Sequence, residues 1–130
     1  MKKLTKFLLI LLVSLFIIGA GTLYFINKSQ ATFEHMMSIE IEDLDLSDID
    51  DGIYKGEYSA FPITVIVDVT IFNHAITQID IIKHDNGKGQ AAEAIVDDVI
   101  LMQSLDIDLI SDATYSSKVI LLAIDNALYK

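Results

Sequence analysis

The chain has 130 residues, a formal net charge of −10, no cysteine and no arginine. That length suits one small domain plus a targeting segment. The lack of cysteine excludes disulfides, soft-ligand metal sites and a lipid-modified cysteine. All 19 acidic residues and six of the nine lysines lie beyond Ile26, so that part carries −13, a charge that repels nucleic acid and anionic membranes.

Lys2, Lys3 and Lys6 precede an uncharged run from Phe7 to Ile26, interrupted in its apolar character chiefly by Ser14, Gly19, Gly21 and Thr22. A helix of about 20 apolar residues spans roughly 30 Å, the thickness of a bilayer core. A cleavable signal has a shorter apolar core and a small-residue cleavage site. The nearest candidate here, Ser29-Gln30-Ala31, is a poor one. Residues 1–26 are therefore expected to form an uncleaved single-pass anchor, in contact with the membrane through residues 7–26. Lysines on its N-terminal side predict a cell-membrane protein with the remainder outside the cytoplasm.

Residues 27–51 form an acidic tether by composition, with Glu40, Glu42, Asp43, Asp45, Asp48, Asp50 and Asp51. Fully extended, about 25 residues reach roughly 80 Å. Ile39, Ile41, Leu44 and Leu46 alternate with the acids, a pattern that also allows a strand or short helix docking later. Calcium-loop spacing fails, because the position needing glycine is Asp48.

The folded unit is expected over 52–130. Gly52–Tyr58 alternates as a first strand. Ile63–Phe72 is rich in β-branched residues and puts Ile63, Val65, Val67, Val69 and Ile71 on one face. Asn73-His74-Ala75 makes a turn, and Ile76–Ile82 is the third strand. Such short connections predict an antiparallel meander. Helical spacing follows through Ala91, Ala94, Ile95, Val99 and Met102. Leu105–Ile110 is a short segment that leads to a serine-rich turn, and Ser116–Tyr129 is the final helix. The expected class is α+β: an antiparallel sheet of three to four strands against two helices, preceded by one N-terminal transmembrane helix.

Two patches are candidate sites. One is Asp108-Leu-Ile-Ser111-Asp112-Ala113-Thr114-Tyr-Ser116-Ser117, which opens the last helix. A helix N-terminus offers unpaired N–H groups and a partial positive charge, a natural seat for phosphate. The same serines and Thr114 also serve as N-cap candidates. The other patch is His84 with Gly87 and Gly89, whose glycines permit close backbone approach and which reads equally as a plain strand-to-helix turn. His35, His74 and His84 are too scattered for a metal site, and no nucleophile–base pair or phosphate loop is present, so neither catalytic nor metal residues are assigned.

The first patch resembles the attachment motif of the small FMN-binding domain family, Asp-x-x-Ser-Gly-Ala-Thr, whose final threonine can carry FMN through a phosphoester bond. Thr114 holds that position, and Asp112 stands where the family has glycine. The resemblance extends in order over Asp51–Glu57, His84–Glu93, Gln103–Ser111 and Ala123–Leu128. The family includes flavin-bearing subunits of sodium-pumping NADH:quinone reductase and Rnf-type complexes. The resemblance implies FMN as cofactor, a flavin transferase that recognises Asp108, Ser111, Ala113 and Thr114 and uses FAD as donor, and an unidentified redox partner. It implies electron transfer rather than self-contained catalysis. The family's glycine points to a positive φ or to a position where a Cβ is unwelcome, and aspartate tolerates the left-handed region better than most residues. A carboxylate beside a phosphodiester repels it, so a cofactor-free tethered module is the alternative.

An uncleaved anchor predicts that the mature protein begins near Met1 and sediments with membranes. N-terminal sequencing that starts near Ala31 or Thr32 would show secretion instead.

Overall fold

The computed structural model describes residues 2–85 and 89–129. The elements are helix α1 (Lys2–Met37), strands β1 (Gly52–Ala60), β2 (Ile63–Phe72) and β3 (Ala75–Asp85), a 3-10 segment (Gly89–Ala94), and helices α2 (Ile95–Met102) and α3 (Thr114–Tyr129). The fold is α+β: one antiparallel sheet in the order β1-β2-β3, two helices against it, and a long apolar helix ahead. The segment after Leu105 is irregular, and among the described residues the sheet has three strands, the lower end of the expected range.

The inward face of β2 is as alternation requires, with Ile63, Val65, Val67, Val69 and Ile71 all buried. The β2–β3 connection is a two-residue turn in which Asn73 and His74 both have positive φ, 51° and 57°. This is the type I′ arrangement, whose twist matches that of the flanking strands. Strand β3 does not alternate cleanly. Register shifts at Ile66/Val67 and Thr70/Ile71 leave one extra β3 residue at each place, so Ile76 and Ile79 both face inward despite their odd spacing. Side-chain amides bond the backbone at one point on each outer strand. Gln103 donates to the Ile76 carbonyl and accepts from its N–H, both at 2.8 Å, and Asn126 donates to the Glu57 carbonyl at 2.9 Å. Gln103 itself ends α2 in the left-handed conformation, φ 51°.

Helix α3 supplies the other half of the core through Val119, Ile120, Ala123, Ile124, Ala127 and Leu128, joined by Leu121 and Leu122. It lies across β1 and β2 and approaches β1 most closely at Gly56. A methyl group on Gly56 would overlap the Ala123 carbonyl oxygen and come within 2.7 Å of the Ala127 Cβ. The obstacle is helix backbone, which cannot rotate aside.

Helix α1 runs unbroken for 36 residues, about 54 Å. It is long and apolar enough to cross a membrane, with a mean hydropathy of 2.5 over its most apolar stretch and none of that stretch buried in the protein. The helix continues beyond Ile26 into the acidic segment, and Met36 is completely buried in the domain core. Residues 39–51 then run without regular structure along the domain. Leu46 is buried, and Ile39, Ile41, Leu44 and Ile49 pack against the core. Lys118 Nζ donates to the Ile39 carbonyl at 2.7 Å, and the Tyr129 hydroxyl accepts from Asp45 N–H at 2.7 Å. Burial lowers the Lys118 pKa from the ordinary lysine value, and Asp125 acts in the opposite sense. The alternating apolar residues thus dock, but as irregular chain and not as the strand or short helix their pattern allows, while the acids between them stay in water.

Two outcomes follow. Gly56→Ala should destabilise the domain by about 3 kcal/mol or more through overpacking against backbone, read as a lowered thermal midpoint. A fragment beginning at Asp50 loses Met36 and Leu46 from the core. Since deleting one such side chain costs about 2–5 kcal/mol, it should melt well below a fragment beginning at Thr32. Equal midpoints would show that residues 32–49 contribute nothing to the fold.

Candidate functional site

The loop from α2 returns across the core and closes in a tight turn before α3. Ala113 N–H donates to the Ile110 carbonyl at 3.1 Å, with Ser111 and Asp112 between them. Asp112 has φ 64°, the only positive φ in that turn. A positive φ at the third residue is the type II arrangement, which favours glycine or asparagine. A positive φ is one of the two reasons for a glycine at this position of the motif, and Asp112 adopts that left-handed conformation here.

Helix α3 starts immediately afterwards. Ser117 N–H donates to the Ala113 carbonyl at 2.9 Å, the first helical bond, which makes Ala113 the N-cap residue. Alanine has no side-chain oxygen with which to cap the first-turn amides. The first turn also holds no acidic residue to offset the helix dipole. Both facts leave this terminus suited to an anion from outside the chain.

Thr114 is the first residue of α3 and is exposed. It lines a hollow of about 160 Å³ with Ile63, Gly89, Asp112, Ala113, Tyr115 and Ser116. Pockets that enclose a drug-sized ligand measure about 300–1,000 Å³, so this one has room for a group of phosphate size and not for a whole flavin. The residues present fit such a phosphate. Asp112 is exposed, where water and salt screen its charge.

The other motif residues divide. Ser116 is buried at the hollow. Ser117 is fully buried and turned to structural use: its Oγ donates to the Ala113 carbonyl at 2.9 Å and accepts from Ile110 N–H at 3.2 Å, locking the turn to the helix. Ser111 is exposed in the turn. Asp108 is separate, lining a different hollow with Asp98, Leu101, Met102, Asp106 and Ile107. Of the second patch, Gly89 is buried beside Thr114, whereas Gly87 lies outside the described residues. The His84 side chain is buried, and its Nδ1 lies 2.9 Å from Glu93 Oε1, tying the end of β3 to the 3-10 segment. Structure thus joins Gly89 to the Thr114 hollow.

Sequence reasoning missed Ile63, Tyr115 and Phe33. The Phe33 ring, from the end of α1, stacks on Tyr115 with centroids 4.3 Å apart and planes at 15°. Nothing local to Phe33 marks it, since its partner lies more than eighty positions away. Tyr115 follows Thr114 directly and was legible as its neighbour.

The structure is thus a small α+β domain that presents a threonine at the start of its last helix. The family model described as FMN-binding domain matches residues 58–129, more than half of the chain, and the chain belongs to that family. Neither a curated protein nor a solved structure matches it.

Ser117→Ala removes both hydrogen bonds of the hydroxyl and leaves the part-buried Ile110 N–H without its acceptor, while the Ala113 carbonyl keeps the Ser117 N–H, which should cost about 1–3 kcal/mol. Denaturant unfolding measures the loss directly.

Proposed function

We propose that this is a membrane-anchored FMN protein that holds its flavin at Thr114 and relays electrons. The observation carrying this reading is Thr114 at the uncapped start of α3, with Asp112 in the left-handed conformation its motif position requires. The family supplies the cofactor, and α1 supplies the anchor. Lys2, Lys3 and Lys6 ahead of the apolar run favour an extracytoplasmic domain.

Attachment calls for a separate flavin transferase. In that transfer the Thr114 hydroxyl would be the acceptor: its oxygen would take the FMN phosphoryl group of FAD, with AMP as the leaving group and the hydroxyl proton passing to a base of the transferase. The exposed position of Thr114 allows that enzyme to reach it. The first-turn amides of α3 would hold the phosphate, and the Ser117 hydroxyl ties the preceding turn to the helix. Bound flavin supplies the redox chemistry, while the protein sets its position and exchange partner. That partner is a second redox protein or carrier, outside this chain. Asp112 favours one alternative, a cofactor-free tethered module, because its carboxylate adds negative charge beside the phosphate.

Intact-mass measurement after coexpression with a flavin transferase separates the readings. Wild type should gain one FMN moiety, Thr114→Ala none, and Asp112→Gly at least as much as wild type. A gain by Asp112→Gly alone would support the cofactor-free alternative or non-covalent binding. An equal gain by Thr114→Ala would move the attachment site elsewhere.

A further inference from the structure

We infer that the Phe61–Pro62 tip of the β1–β2 hairpin seats in the bilayer interface, so that the Thr114 end of the domain faces the membrane. This rests on α1 crossing the bilayer, as proposed above.

The hairpin tip meets α1 inside its apolar run. The Phe61 ring packs edge-on against Phe25, with centroids 5.3 Å apart and planes at 72°. Phe25 is the penultimate residue of that run, so Phe61 shares its depth at the membrane boundary. Both Phe61 and Pro62 are exposed, Phe61 by 42%, and they leave an apolar tip open on its outer side. Lys28, the first charge after the run, places its Nζ 5.1 Å from the centroid of the same ring. A lysine there extends its ammonium toward headgroups while its stem stays in apolar surroundings. Helix α1 is continuous, and Met36 is locked in the domain core, so the domain cannot swing away on a loose linker.

The Thr114 hollow lies at the same end. Ile63, the first residue of β2, lines it just beyond the tip. Phe33, stacked on Tyr115, is seven residues past Ile26, about 10 Å farther along the helix. The acidic surface opposes attraction to anionic lipid, so the seating is apolar and calls for no anionic headgroup.

The absence of cysteine permits single labels on the full chain. An environment-sensitive fluorophore goes on Ser59→Cys beside the tip, on Phe72→Cys at the far end of β2, roughly 30 Å away, or on Tyr24→Cys in α1. Each protein is reconstituted in phosphatidylcholine vesicles with a lipid-borne or a water-soluble quencher. The Ser59→Cys and Tyr24→Cys labels should lose emission to the lipid-borne quencher, and the Phe72→Cys label only to the soluble one. Adding Phe61→Ser to Ser59→Cys should return that label to water, and unchanged lipid quenching would overturn the role of the ring. If the Ser59→Cys label behaves like Phe72→Cys while Tyr24→Cys stays lipid-quenched, the domain stands clear of the bilayer. The inference then fails and the anchor survives. A water-exposed Tyr24→Cys label would overturn the anchor, and the inference with it.

Discussion

Helix α3 meets strand β1 backbone to backbone at Gly56, with no side chain between them. That contact sets the height of the helix above the sheet and the line along which it lies. The buried row from Val119 to Leu128 can then reach the inward residues of β2, and Asn126 reaches the edge carbonyl of Glu57. The axis of α3 also decides where its N-terminus emerges. It emerges beside Ile63 and Gly89, which is how a turn late in the chain comes to share a hollow with the start of β2. A domain without disulfides depends on such packing, because nothing covalent holds helix to sheet.

The features that would suit that hollow to an anion come mainly from the backbone. Alanine at the N-cap leaves the first amides uncapped, and the first turn of α3 holds no acid. In a chain with 19 acidic residues, a locally uncharged helix start is a notable exclusion. Asp112 partly offsets it, yet its left-handed φ is a conformation that glycine adopts without strain, and its carboxylate is exposed to solvent. Shape and charge at this position are therefore separable, and the departure from the family pattern falls on charge.

Helix α1 joins the membrane question to the site. Its apolar run is unburied, whereas its last turns carry Phe33 onto Tyr115 and Met36 into the core. The segment after it folds back along α3, with isoleucines and leucines inward and carboxylates outward. Acidity thus serves solubility without preventing docking, because alternate residues face opposite ways.

Much of this was legible in residue order. Period-two alternation in Ile63–Phe72 fixes which residues of β2 are buried, and three- and four-residue spacing does the same for α3, because both periods follow from backbone geometry alone. The motif around Thr114, its position at a helix start and the φ demand at Asp112 are also local properties. What only the tertiary structure decided are pairings between distant segments. Gly56 looks like an ordinary strand glycine until α3 is placed on it. The two extra residues in β3 are invisible until β2 sets the register. Asp108 belongs to the motif in sequence but faces a different hollow, and Phe33 reaches the site from a stretch that composition marks as a tether. Composition and periodicity describe what a residue does relative to its own backbone. Which remote surface it meets is set by chain closure and packing, which no local pattern encodes.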